Sequence, residues 1–535
     1  MKVFDYEACG LKPPPVRTAP PVGPPHLANL VSLAAGRAPD DEALADPSRR
    51  FTFRELDSAV NRAAHFLLSE GVAPGDRVAC AMPNRWEAVV GFFAVMRIGA
   101  VWVGIYRILP VSDKRHILGH SGARLLLADA DTAAEIGAIR ADLPDLENIV
   151  AVDCDSSWVA AIAAGADTLP ELAIDLFAPA AIMYISGTTG LPKGCVYSQH
   201  NIVTVAAAAS AHGLMSPDAR RVTVLPITIT NVMILGPVIA YWNAKAFILG
   251  VTTKIGPMVE WLVHERIGQC AFVPTMIYDL LQHDLDLPLG LVVGAGGAPI
   301  SQTLQSNFHA RFGQHVQPSY GLTEAPTVVA SPRDMMTPEG ASGFALPHLD
   351  LAIRDAEGRE LPPGEVGEIC FAAVRSGRWA HVYAPPLGYW HEPAKTAALL
   401  VCDVVHTGDV GSVDADGWLT VADRSSELIL RGGSNVCSAE IKKMLNACDA
   451  LADCAVIGRP DDRLGMRTLA GIQLADQHGD RELVQPDLKA RCTQQLARYK
   501  VPDEWHFAKA FPRNAIGKIV KPWLRELMSS PPAIA

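Results

Sequence analysis

Residues 184–194 read YISGTTGLPKG: three hydroxyl side chains (Ser186, Thr188, Thr189), three glycines (Gly187, Gly190, Gly194) and one lysine, Lys193. The glycines let the backbone curl. Such a curl aims successive N–H groups and hydroxyls at phosphate oxygens, and the lysine adds a point charge. The run is not a Walker loop. G-x-x-x-x-G-K-[ST] needs glycine where Pro192 stands and a hydroxyl residue where Gly194 stands. Alone, it reads equally well as a linker between two strands.

Further residues with chemical potential follow in order: GGAPI (296–300), YGLTE (320–324), PGEVGEIC (363–370), HTGDVG (406–411), DRSSELILRGG (423–433) and PRNAIGKI (512–519). Singly each has an ordinary explanation. Tyr320 fits a core aromatic, Asp409 a turn residue after Gly408, and Arg424 a solvated charge; Lys518 sits near Lys509, Arg513 and Lys521, so a basic surface loop would account for it. Other site classes fail on spacing. HERIG (264–268) and HEPAK (391–395) lack the second histidine of a zinc protease, GAGGAP (294–299) breaks the dinucleotide fingerprint at its end, and no GxSxG elbow occurs.

Taken together, the stretches resemble the adenylate-forming (AMP-binding) superfamily of acyl-CoA synthetases, firefly luciferase and peptide-synthetase adenylation domains. The resemblance runs from about Phe51 to Lys521. It implies an α/β fold: a large N-terminal domain of layered α/β sheets with a small barrel-like part, then a small mobile C-terminal α/β domain. It also implies activation of a carboxylic acid by attack on the α-phosphorus of ATP, giving acyl-AMP and pyrophosphate. Charge then builds on phosphate, which calls for cations and fixed N–H donors.

By resemblance, Ser186, Gly187, Thr188, Thr189, Gly190 and Lys193 hold the departing phosphates. Thr323 bonds the α-phosphate, and Glu324 holds Mg²⁺, a hard cation suited to carboxylate oxygen. Tyr320, with Gly321 beside it, stacks on adenine opposite Gly297, Ala298 and Pro299. Asp409 accepts the ribose hydroxyls, with Arg424 nearby. Lys518 bridges the carboxylate and the α-phosphate during adenylation. Ser426 stands at the hinge, where the family usually has aspartate or lysine, and Gly432 and Gly433 line the path of the incoming thiol. In NVCSAEI, Ser438 replaces the usual proline and suits a helix N-cap.

Elements able to position these residues are visible in the pattern. FTF (51–53) reads as a strand. Leu56, Val60, Ala63, Ala64, Leu67 and Leu68 recur at helical spacing up to Gly71, and GDRVACAM follows as a strand. LLLADA (125–130), NIVAVD (148–153) and AAIMYIS (180–186) continue an alternation that predicts a largely parallel sheet. Near residue 423 the texture turns polar. CAVIG, TLAGIQL and WHFAKAF read as strands and PDLKARCTQQLARY as an amphipathic helix. The expected domains are 1–423, with 1–50 an extended proline-rich arm and lead-in, and 424–535.

Composition bounds the rest. The 535 residues, 49% hydrophobic and 19% charged, fit a globular chain of two or more domains. A formal charge of −11 excludes a general affinity for nucleic acid or anionic membrane. Eleven scattered cysteines without CxxC or zinc spacing, and a start bearing acids where a signal core would be apolar, point to the cytoplasm. The run VVGFFAVMRIGAVWVGIY (89–106) is membrane-like, but Arg97 in its middle and Gly99 favour a buried helix turning into a buried strand.

No carrier motif follows Lys518, so a free-standing carboxylate–CoA ligase is expected, with ATP, Mg²⁺ and coenzyme A as co-reactants. Loading of a separate carrier protein, a luciferase-type oxidase and a non-catalytic nucleotide-binding relative are the alternatives; the last predicts damage at Lys518, Glu324 or Asp409. Monomer and homodimer stay open. In the pocket segment LPITITNVMILGPVIAYW (225–242), Ile229 occupies the family's histidine position and Asn231 is the polar group; no acid is present to pair an ammonium. With Gly294, Ala295 and Gly296 as floor and Ile227, Ile229, Val232 and Met233 as walls, an uncharged acyl or aryl acid is expected; a core-helix role for the segment is the competing reading.

Overall fold

The computed structural model describes residues 4–15, 26–185, 192–214, 216, 219–296, 300, 302–325, 327–333, 337–338, 340–424, 429–431, 434–436, 438–461, 465–476, 481–496, 500–513 and 519. By packing, the chain divides into two compact units, Met1–Leu351 with Cys370–Thr407, and Ala352–Ile369 with Gly408–Ala535. Residues 352–369 and 408–423, assigned to the first domain from sequence, pack with the second unit.

In the first unit, one seven-stranded sheet runs, edge to edge, Gly388–Tyr389, Lys193–Ser198, Pro179–Ile185, Val101–Gly104, Arg77–Ala81, Ala123–Ala128, Asn148–Ala151. Its last five strands are parallel and its first two join antiparallel. A second seven-stranded sheet centres on Arg221–Thr223, with Gln269–Phe272 and Val292–Ala295 on one side and Phe247–Leu249 and Glu42–Ala45 on the other. The expected alternation is thus realised as two mainly parallel sheets. A third, antiparallel group joins Tyr320–Leu322, Thr327–Ser331 and Ala341–Ala345.

Local signals explain the helices. Thr52 caps Phe53–Ser69, and Glu55 returns the bond to the Thr52 N–H, a reciprocal cap that stabilises by about 1 kcal/mol. The membrane-like run is the buried helix Trp86–Arg97 followed by the strand Val101–Gly104. Arg97 is 1% exposed, and its guanidinium donates to Ala28 O, Asn61 Oδ1 at 2.6 Å and Asp57 Oδ1 at 2.9 Å. Fully satisfied, the charge can stay buried. Among the described residues, no helix is long and apolar enough to cross a membrane.

In the second unit, Val410 and Gly411 lie on a strand whose 409–413 portion pairs antiparallel with Leu419–Arg424. Leu451–Asp461 and Gly465–Leu474 form a long antiparallel ribbon, with Glu504–Phe507 parallel beside it. Helices Ser438–Asn446 and Arg481–Gln495 cover a core of Ile441, Leu445, Cys454, Val456, Ile472 and Leu488.

Candidate active site

Strands Pro179–Ile185 and Lys193–Ser198 pair antiparallel with Ile185 opposite Lys193, so they form the two stems of the glycine-rich segment. Ser186, Gly187, Thr188, Thr189 and Gly190 lie outside the described residues. Gly194 has a packing reason to be glycine: an added Cβ would stand 2.6 Å from Ile182 Cγ2 and 3.2 Å from the Tyr184 ring.

Lys193 leaves its stem toward Tyr389 and Glu324. Its Nζ donates to the Tyr389 hydroxyl at 2.6 Å, lies 4.0 Å from the centre of that ring, and stands 3.4 Å from Glu324 Oε1. The Tyr389 hydroxyl donates to the same Glu324 oxygen at 2.5 Å. An ammonium, a phenol and a carboxylate thus meet at one point, half-shielded from water, where charge-assisted bonds are strong. Glu324 Oε2 carries no hydrogen bond from a described residue, which suits a carboxylate that would also ligate a hard cation.

Tyr389 was not foreseen, and the chain takes several measures to hold it. Gly388 and Tyr389 pair with Val196 and Cys195, and Trp390 N–H donates to Gly194 O at 2.8 Å. Gly388 adopts φ +116, and a Cβ there would be 2.3 Å from Thr396 Cγ2. Only glycine tolerates both conditions. Thr396 Oγ1 accepts the Tyr389 N–H at 2.9 Å. The helix Gln199–His212, capped reciprocally by Ser198 and Asn201, ties down the approach: Asn201 Nδ2 donates to Ala384 O at 2.7 Å and His200 Nε2 to Val382 O at 2.7 Å. The readable signal was LGYW after Pro385–Pro386, an aromatic following a glycine in an otherwise strand-like run.

Glu324 belongs to the YGLTE stretch, and Thr323 beside it meets the pocket segment. Tyr197, fully buried, donates its hydroxyl to Thr323 O and lies 3.3 Å from Asn231 Oδ1. Asn231 Nδ2 points at Thr323 Oγ1, 3.5 Å away. Burial, then the proximity of Cys195, Glu324 and Tyr389, pushes the Tyr197 phenol well up, so it stays a protonated donor. The structure therefore brings together Lys193, Thr323 with Glu324, and Asn231 from three stretches far apart in sequence.

Asn231 opens a helical run, Thr230–Met233, that passes through a π-helical turn, Ile234–Val238, containing Pro237, before Ile239–Trp242. Such turns reset which side chains share a face. Ile229, Asn231, Val232 and Leu235 are half-buried, whereas Ile227 and Met233, expected as pocket walls, have no accessible surface. They serve the core instead. Thr228 and Thr230 are buried, and among the described residues neither hydroxyl has a hydrogen-bond partner. Gly294 and Gly296 retain partial exposure, while Ala295 packs into the core with Phe272 and Val293.

Tyr320 is buried at the start of its strand and Gly321 is exposed beside it, next to an irregularity in the ladder. In the second unit, Asp409, also buried, sits directly opposite Arg424 across the antiparallel pair. Gly297, Ala298, Pro299, Ser426, Gly432, Gly433 and Lys518 lie outside the described residues.

Comparison with known proteins gives two family matches: AMP-binding enzyme over residues 31–376 and AMP-binding enzyme C-terminal domain over 440–518. The chain is 33% identical to a fatty acid–[acyl-carrier-protein] ligase, ScoC, of Streptomyces coeruleorubidus, covering 94% of this chain and 97% of that one. It is 32% identical to the long-chain-fatty-acid–CoA ligase FadD13 of Mycobacterium tuberculosis, covering 92% and 96%. It superposes on the anthranilate CoA ligase AuaEII, solved with anthranoyl-AMP, at a TM-score of 0.84 and 25% identity, covering 94% and 97%.

Proposed function

The chain belongs to the AMP-binding enzyme family, and from that premise we propose that it joins an acyl or aryl carboxylate to the thiol of coenzyme A, at the expense of ATP, by way of acyl-AMP. The observation that carries this reading is the meeting of Lys193, Tyr389 and Glu324 beside Thr323 and Asn231. It sets phosphate-binding chemistry one residue away from an uncharged pocket segment.

The two half-reactions balance as follows. A carboxylate oxygen attacks the α-phosphorus, the bond to the bridging oxygen breaks, and pyrophosphate leaves. The thiol sulfur then attacks the acyl carbon, a proton is released, and AMP departs with the carboxylate oxygen. Lys193, with one N–H on Tyr389 and another toward Glu324, has its third for the departing phosphates. Thr323 Oγ1, oriented by Asn231, would bond the α-phosphate, and Tyr197 keeps the Thr323 backbone from drifting. Mg²⁺, when bound through Glu324, would neutralise charge on the phosphate oxygens.

Asp409 and Arg424 act at the ribose, Tyr320 and Gly321 with Gly297, Ala298 and Pro299 at adenine, and Ser186 to Gly190 at the phosphates. Lys518 is the adenylating lysine, Ser426 the hinge, and Gly432 and Gly433 the thiol path; the moving part begins at 424, although by packing 352–369 and 408–423 group with the second unit. These roles rest on the motifs quoted above. That every described cysteine is a free thiol supports a cytoplasmic setting.

A second reading, transfer to the thiol of a separate carrier protein, is favoured by the Streptomyces relative. Incubation with ATP, CoA and a panel of fatty, aryl and amino acids decides. The account expects AMP, pyrophosphate and an acyl-CoA, with amino acids rejected because the 225–242 segment has no carboxylate to pair an ammonium. ADP as product overturns it, and a thioester formed only on a carrier protein selects the second reading.

A further inference from the structure

Behind the Lys193 stem lies a group of histidines that the proposed chemistry does not use. His116 and His120 stand one turn apart on the helix Val111–Ser121, with rings stacked at 5.3 Å and an interplanar angle of 26°. His116 Nε2–H donates to Pro192 O at 3.0 Å, the residue just before Lys193. His120 Nδ1 shares a 2.8 Å hydrogen bond with the Tyr184 hydroxyl, on the opposite stem. The His391 ring, two residues after Tyr389, meets that of His120 edge-on at 6.1 Å, and the His391 backbone N–H donates to Cys9 O. One helix turn therefore touches both stems, and a third histidine links the same cluster to the strand carrying Tyr389.

We propose that His116 and His120 are positioning residues for the nucleotide step: they fix the spacing of the two stems at Tyr184 and Pro192, and with it the aim of Lys193. The inference rests on the adenylating reading above.

The geometry is what matters here. Tyr184 and Gly194 are paired across the stems, so a hydrogen bond at Tyr184 and another at Pro192 constrain both sides of the same ladder. Packing alone would be met by an aromatic or aliphatic pair at 116 and 120; an imidazole at each makes the bonds to Pro192 O and the Tyr184 hydroxyl. The surroundings of His120 also give the pair a pH signature. It faces His116 on its own helix, Tyr184 on the stem, and His391, Glu392 and Lys395 beyond Tyr389. Arg77, two strands away in the same sheet, acts on Tyr184 and His391. Burial first, then His116 and His391, hold the His120 imidazole below its ordinary value, with Glu392 opposing. His120 is therefore neutral at neutral pH and able to accept the Tyr184 O–H. Acidification puts a cation among other cations, removes that acceptor, and loosens the stem. Activity at limiting ATP should then fall on the acid side.

The test uses the full-length protein and any acid it turns over, with AMP formation measured at varied ATP and pH. Unaltered protein should show an acid limb in kcat/KM for ATP. His116→Phe, which keeps a stacked ring but no bond to Pro192 O, should raise KM for ATP by about 3–10-fold with kcat changed less, the effect of one neutral hydrogen bond. His116→Gln, which restores an N–H donor, should return KM to within about twofold, the scatter expected of a restored bond. His120→Phe should flatten the acid limb. The proposal is overturned by folded phenylalanine variants that keep both the ATP KM and the limb, by a glutamine variant no better than phenylalanine, or, should the phenylalanine variants not fold, by an unaltered enzyme with no acid limb. Failure of the unaltered enzyme to form any AMP rejects the adenylating reading itself, and this proposal with it.

Discussion

The phosphate side of the candidate site and its acyl side are built by opposite rules. On the phosphate side, Lys193, Tyr389 and Glu324 are tied to one another by bonds between their charged and phenolic side chains, and Tyr197 holds the backbone of the adjacent Thr323. On the acyl side, residues 225–242 offer Ile229, Val232 and Leu235 around Asn231, and the helix slips through a π turn at Pro237. Phosphate transfer demands particular charges at particular points, whereas an apolar pocket demands only volume and dryness. Chemistry is therefore written in residue identity on one side and in backbone path on the other.

The largest effect is expected from removing the lysine that the PRNAIGKI motif assigns to adenylation. Lys518→Ala should lower acyl-AMP formation by about 10²–10³, the usual effect of losing one preorganised contact to developing charge. Supplied acyl-adenylate should still be converted to thioester, and equal loss in both half-reactions would count against the role given to this lysine.

Next in size is Tyr389→Phe. The ring stays to pack over Lys193, but the hydroxyl joining Lys193 to Glu324 is lost. Adenylation should slow by about 10- to 100-fold, as for a hydrogen bond to a charged partner. A change under twofold in single-turnover acyl-AMP formation would show that the bridge is not used.

The acyl side should respond less, and differently. Asn231→Leu leaves Tyr197 bonded to Thr323 O but removes the side chain that reaches Thr323 Oγ1. Its cost should be about 3–10-fold in kcat/KM. The order of preference among acids should shift toward more apolar ones. An unchanged order would place Asn231 with the phosphate machinery alone.

The same division explains what was legible in the sequence. Lys193, Thr323 and Glu324 were readable through motifs that resemble the family's, and Asn231 as a hydrogen-bonding group in an apolar segment; the structure gathers them within reach of one another. Tyr389 escaped because its partners come from three separated stretches and its immediate neighbourhood, LGYW, resembles any buried edge strand. His116 and His120 escaped because a histidine pair one turn apart looks like an ordinary half-buried helix face until the fold sets Tyr184 and Pro192 against it. Ile227 and Met233 were expected in the pocket and lie in the core, since an unbroken apolar run carries no period from which its facing can be read. The alternation of strands and helices was visible throughout, but the grouping of 352–369 and 408–423 with the second unit depends on long-range pairing that no local pattern announces.

The central claim is that a carboxylate oxygen becomes bonded to the α-phosphorus and later leaves with AMP. Supplying the acid with ¹⁸O in its carboxylate, and weighing the nucleotide product after turnover with CoA, tests this directly. The account predicts AMP carrying one ¹⁸O and unlabelled pyrophosphate. Unlabelled AMP, or label recovered in inorganic phosphate beside ADP, would contradict it.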